Sequence, residues 1–137
     1  MYEALTALIP ELKKGPAGKW AEQTGNGTAE SPYTCPFVVY GKQIHDLEDE
    51  VYRFVESHPE MDLRAYDRVL NEYNIEWDSA SMKKACTSIL DGKAVMALLL
   101  GAIRAERFCD GALLDFCKSG CILRWLERLD EIDKSAR

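Results

Sequence analysis

The chain is short of the residues that chemistry most often uses. Its 137 residues hold two histidines, His45 and His58, thirteen positions apart. Five cysteines, Cys35, Cys86, Cys109, Cys117 and Cys121, include no Cys-x-x-Cys pair. Zinc sites usually show ligand pairs at tight spacing, so no metal is expected. An odd cysteine count without an export signal argues for free thiols in a reducing cytoplasm. The opening MYEALTALIPELKKG has no basic stretch before its apolar residues and does not read as a signal peptide. The one long apolar run, Ala94 to Ile103, is half of the roughly 20 residues that a membrane span requires. No membrane partner is expected. Basic residues are also few: 17 against 23 acids, a net charge of -6. A free-standing nucleic-acid binder usually has the opposite sign. Internal repeats, heptad arrays and low-complexity tracts are absent as well.

What is present is the balance of a globular protein. Apolar residues make up 47% and charged residues 29%, which excludes disorder and a collagen-like fibre. The length fits one domain, residues 1–137. The acidity is local. Residues 46–78 carry eleven acids and three arginines, whereas 1–45 and 104–137 are neutral. This reads as a solvated acidic face over a packed core.

Periodicity predicts helices. Leu5, Leu8, Ile9 and Leu12 lie at helical spacing, with Pro10 as an obstacle. Residues 15–36 read as a long loop, with Trp20 as its large apolar anchor. Phe37–Tyr40 is one short extended segment with no visible partner strand. Ile44, Leu47, Val51, Phe54 and Val55 form a stripe, and Leu63, Tyr66, Val69, Leu70 and Tyr73 form another. Asp78 or Ser79 can cap a short helix, Asp91 a buried one running to about Phe108, and Asp110 the helix 111–118. Gly120 precedes a last helix with Ile122, Trp125, Leu126, Leu129 and Ile132 on one face. The expected fold is all-α, a single bundle of about six or seven short helices.

Most groupings that could carry chemistry have plain explanations. Asp46, Glu48, Asp49 and Glu50 point in different directions on a helix, and suit its negatively charged start better than one cation. The cysteines read as small core-filling side chains. A catalytic thiol wants a nearby histidine, and the C-terminal half has none. Residues 111–134 have the length of a helix-turn-helix, but Glu127, Asp130, Glu131 and Asp133 beside Arg124 and Arg128 would repel phosphates.

The densest charged group adjoins the apolar run: Arg104, Glu106, Arg107, Phe108, Asp110 and Gly111. Arg104, Arg107 and Phe108 share a helix side, and Glu106 points elsewhere. Both arginines fall where cations stabilise a helix C-terminus, and Asp110 can face Arg107. The functional alternative makes Arg104, Glu106, Arg107 and Asp110 an anion- or partner-binding site, because guanidinium forks favour carboxylates and phosphates.

The same residues carry a resemblance. The stretch IRAERFCDGALLDFCKSGCILRWLERL, Ile103 to Leu129, is similar to a bacterial and archaeal domain-of-unknown-function family, numbered sixty-five hundred and eight. Its signature is Arg-x-Glu-Arg-Phe-x-x-Gly, here Arg104, Glu106, Arg107, Phe108 and Gly111. Gly-x-Ile-Leu-x-x-Leu-x-Arg-Leu follows from Gly120 to Leu129. Trp20 and the PFVVYG stretch at 36–41 extend the likeness weakly upstream. The resemblance implies a small, mostly helical, intracellular domain. It brings no activity, catalytic residue or cofactor.

Three functions follow, in order. The first is a non-enzymatic helical domain binding another protein or a second copy of itself, with three tryptophans and six tyrosines as anchors. The second is a nucleic-acid-associated factor using the C-terminal hairpin. The third is an enzyme or binder acting on a small anion at Arg104 and Arg107.

Overall fold

A computed structural model describes residues 1–21, 25, 27–32 and 37–136. Cys35, expected as a core thiol, lies outside the described residues, as does part of the expected loop. The fold is mostly helical, as the periodicity predicts.

Pro10 divides the first segment. Helix α1 is Glu3–Thr6 and α2 is Ile9–Lys14. Proline thereby sits in the first turn of α2, where its missing N–H breaks no helical bond. Strand β1, Gly18–Ala21, lies inside the stretch expected to be loop, and pairs antiparallel with β2, Phe37–Tyr40. Gly18 faces Tyr40, and Trp20 faces Val38. A four-residue strand of sequence GKWA has too little alternation to announce itself. Its pairing is fixed by a distant partner.

Helix α3, Lys42–Ser57, buries Ile44, Leu47, Val51, Phe54 and Val55, the expected stripe. It begins at Lys42, so no acid lies in its first turn. The acids do not answer the helix dipole there. Asp46 instead pairs with Lys42 at 2.8 Å, and Glu50 with Arg53. Single 3-10 turns at Pro59–Met61 and Leu63–Ala65 lead into α4, Tyr66–Glu72. Helix α5, Ser79–Lys84, starts where the Asp78 carboxylate accepts the Ser81 N–H at 2.6 Å. Helix α6, Gly92–Ala105, starts where Asp91 accepts the Ala94 N–H at 3.0 Å. Asp91 also accepts the Tyr73 hydroxyl at 2.7 Å, which ties α4 to that cap. Helices α7, Ala112–Lys118, and α8, Cys121–Ser135, complete the chain.

Helix α6 is the axis. Every residue from Ala94 to Ile103 is buried, and the helix packs against α3, α4, α7 and α8. A helix apolar on all sides is stable only when neighbours cover all of it. Each covered Leu, Val or Ile contributes about 1.5–3 kcal/mol. Helix α8 supplies Trp125, fully buried, whose ring lies 5.6 Å from that of Phe116.

The Trp125 Nε1–H has no hydrogen-bond partner among the described residues. Trp125 therefore acts through its volume. Trp125→Ala should lower unfolding free energy by about 3–5 kcal/mol, and Trp125→Phe by half of that or less. Urea denaturation followed by circular dichroism measures both. Equal losses would show that the volume of a smaller aromatic ring does not rescue the core.

Candidate functional site

The conspicuous block of the sequence forms the corner between α6 and α7. Helix α6 ends at Ala105, and a turn carries the chain through Phe108. Gly111 then takes a φ of 89°, in the left-handed region, and α7 begins. The side chain that caps α7 is Glu106. Its carboxylate accepts the Gly111 N–H at 2.9 Å and the Leu113 N–H at 3.0 Å. Asp110, expected in that role, is exposed and does not cap. The reason is geometric. The turn sends Glu106 back under the new helix start, whereas Asp110 immediately precedes the left-handed glycine and is carried outward.

A third bond closes this arrangement from far along the chain. The Tyr40 hydroxyl donates to Glu106 Oε1 at 2.6 Å and accepts the Leu114 N–H at 2.9 Å. Burial, then the neighbouring carboxylate, holds the Tyr40 hydroxyl well above the usual tyrosine range. It therefore stays protonated and remains a donor. Trp20, from the paired strand, lies over Gly111, where a Cβ would overlap its indole ring. Trp20, Tyr40, Glu106 and Gly111 thus form one knot between the hairpin and the corner.

That knot fixes an open apolar groove on the outer side of the corner. Its volume is about 500 Å³. Trp77, Met82 and Phe116 line it, and Phe108 stands at its mouth, 77% exposed. The Phe108 ring meets Trp77 edge-on at 5.7 Å, and Trp77 Nε1 donates to the Gly101 carbonyl at 3.0 Å. Asp78, Asp110 and Asp115 contribute carboxylates to the lining. Asp115 pairs with Lys83.

The expected site residues are dispersed by this corner. Glu106 is engaged in the cap. Asp110 lines the groove. Arg107 is exposed beyond the helix end and has no ion pair among the described residues. Arg104 lines a separate cavity together with Arg64, which periodicity alone did not connect to it. In the C-terminal hairpin, Arg124 donates to the Lys83 carbonyl and Arg128 to the Leu90 carbonyl, each at 3.0 Å. His58 stacks on Phe54 at 3.9 Å. No group of three or more His, Cys, Asp or Glu able to hold a metal is found among the described residues. No described helix is long and apolar enough to cross a membrane.

The cysteines differ from the core-filling reading. Cys121 is buried and Cys117 half-buried, but Cys86 and Cys109 are exposed. Burial pushes the Cys117 thiol up to about 12. The Ser88 hydroxyl beside Cys86 lowers its pKa.

A family model described as a family of unknown function (DUF6508) matches residues 1–135. The chain belongs to this family, the one that the Arg104–Gly111 block resembles. No curated protein and no solved structure matches.

Two outcomes test the corner. Gly120 also has a positive φ, 82°, but open space around its Cβ position. Gly120→Ala should cost about 1 kcal/mol from backbone strain alone. Gly111→Ala should cost about 2–3 kcal/mol, falling to the Gly120 value when Trp20 is Ala. A double-mutant cycle of urea midpoints reads this coupling, and additivity would remove Trp20 from the knot. The thiols provide the second. Thiolate is the reactive form, so iodoacetamide near neutral pH should label Cys86 ahead of Cys117 and Cys121, as peptide mass mapping will show. Rapid labelling of Cys117 would contradict its burial.

Proposed function

We propose that this member of a family of unknown function is a non-enzymatic protein-interaction domain, and that its groove receives a basic amphipathic segment of another protein. The observation that carries this reading is Phe108, a large aromatic held upright at the mouth of an apolar groove. An exposed phenylalanine gains nothing from water. Here it is braced by Trp77, so little conformational freedom remains to be lost on binding. Aromatic anchors of this kind dominate interface energetics.

The charge around the groove selects the partner. Asp78, Asp110 and Asp115 outnumber Lys83 at its edge. A segment with an apolar anchor flanked by Lys or Arg complements that rim. A second copy of this chain would bring a net charge of -6 to an acidic edge, which favours a different partner. Phosphates would meet the same repulsion. Arg124 and Arg128, which a DNA-reading hairpin would need, are occupied by backbone carbonyls. The exposed thiols of Cys86 and Cys109 suit a reducing cytoplasm.

Fluorescence anisotropy with a labelled Leu/Phe/Lys amphipathic peptide tests this, against the same peptide with Glu for Lys. The basic peptide should bind and the acidic one should not. Phe108→Asp should weaken binding about tenfold or more, while the melting temperature changes little because the side chain is exposed. Equal affinity for both peptides, or unchanged binding by Phe108→Asp, would overturn the assignment. A dimer seen by light scattering and lost in Phe108→Asp would replace it with self-association.

A further inference from the structure

A second cavity lies where the last turn of α6 meets α3 and the start of α4, with a volume of about 300 Å³. Arg104 enters it from α6 and Arg64 from the 3-10 turn before α4. Tyr52 of α3 and Tyr66 of α4 line it beside them. Tyr52, and then Tyr66, beside the Arg104 guanidinium raises its pKa further. Val55 and Leu100 provide apolar surface. Glu56 is the carboxylate in the lining.

The charge accounting is unusual. Neither Arg64 nor Arg104 forms an ion pair among the described residues. Nearby arginines do: Arg53 holds Glu50, and Arg68 holds Asp62. Glu56 lines the same cavity yet lies beyond ion-pair distance of both. A guanidinium presents five N–H donors in a rigid fork and has no acceptor. A phenol hydroxyl can accept from arginine and still donate its own proton onward. Donors from four elements therefore line one cavity, and no described carboxylate lies within ion-pair distance of either arginine. Guanidinium forks match carboxylate and phosphate oxygens. The volume sits at the lower end of the range for small-molecule pockets, about 300–1,000 Å³.

We propose that this cavity binds a small organic oxyanion, its carboxylate or phosphate seated between Arg64 and Arg104 and its apolar part against Val55 and Leu100. Glu56 opposes the ligand's charge and moderates its affinity. This site is separate from the peptide groove, so each can fail without the other.

The probes are benzoate, phenyl phosphate and benzylamine, which share a ring and differ in head group. Calorimetry at low salt should show millimolar or tighter binding of at least one anion and none of benzylamine. The tighter anion identifies a planar or a tetrahedral preference. Arg104→Gln should weaken binding about tenfold or more, and Arg64→Gln about threefold or more. Glu56→Gln should tighten it about threefold, a gain that loss of structure cannot mimic. Phe108→Asp should leave anion binding unchanged. If Arg104→Gln fails to fold, the exposed positions Arg64 and Glu56 decide the outcome. Absence of anion binding up to about 10 mM, equal binding of benzylamine, or unchanged affinity in Arg64→Gln and Glu56→Gln would overturn the proposal.

Discussion

One carboxylate holds the corner beside which the apolar groove opens. Glu106 gathers the N–H groups of Gly111 and Leu113 and the hydroxyl of Tyr40. The first N–H groups of a helix have no partner within it, so a short helix such as α7 needs an outside acceptor. A charged acceptor makes stronger bonds than a neutral one. Here the acceptor comes from the end of the preceding helix, which fixes the angle between α6 and α7. Tyr40 extends the same network to the hairpin by accepting the Leu114 N–H. Without Glu106, those donors would be left in a part-buried position with no acceptor.

The corner does more than end a helix. Helix α6 is buried throughout its apolar length and reaches the two hollows only through its last two turns. There Arg104 turns toward α3 and α4, while the chain beyond Ala105 lifts Phe108 outward over Trp77. The two hollows are joined by rings. Tyr66, in the wall of the arginine cavity, meets Trp77 edge-on at 5.0 Å, and Trp77 meets Phe108 at 5.7 Å. The cavity and the groove therefore lie at opposite ends of one aromatic row, which the Trp77 bond to Gly101 anchors to α6.

What the sequence disclosed was local. The stripes of α3 and α8 repeat every three or four residues, so their buried faces could be read directly. Asp78 and Asp91 immediately precede the helices they cap. The hairpin and the cap of α7 had no such signature. Glu106 acts on residues five and seven positions ahead, across a turn, and its third donor lies 66 residues away. Asp110 was the nearer choice by spacing and lost to geometry. One clue was available. Trp20 and the PFVVYG stretch share the family resemblance with Glu106 and Gly111, and the fold brings Trp20 and Tyr40 onto those two residues. The alliance of Arg64 with Arg104 had no counterpart of this kind, because a 3-10 turn carries no helical period.

The acidity of residues 46–78 changes meaning once the partners are known. The segment holds three arginines, and two of them, Arg53 and Arg68, are taken up by acids beside them. Arg64 is the third, and it faces the cavity of Arg104. Net charge therefore describes this surface poorly. At physiological salt the Debye length is about 8 Å, so a ligand inside a cavity responds to its lining far more than to the whole chain. The acidic rim of the groove and the two arginines of the cavity are such linings, opposite in sign and separated by one aromatic row. An overall charge of -6 is compatible with an anion site, because the acids nearest to Arg64 in sequence are engaged elsewhere or set back from it.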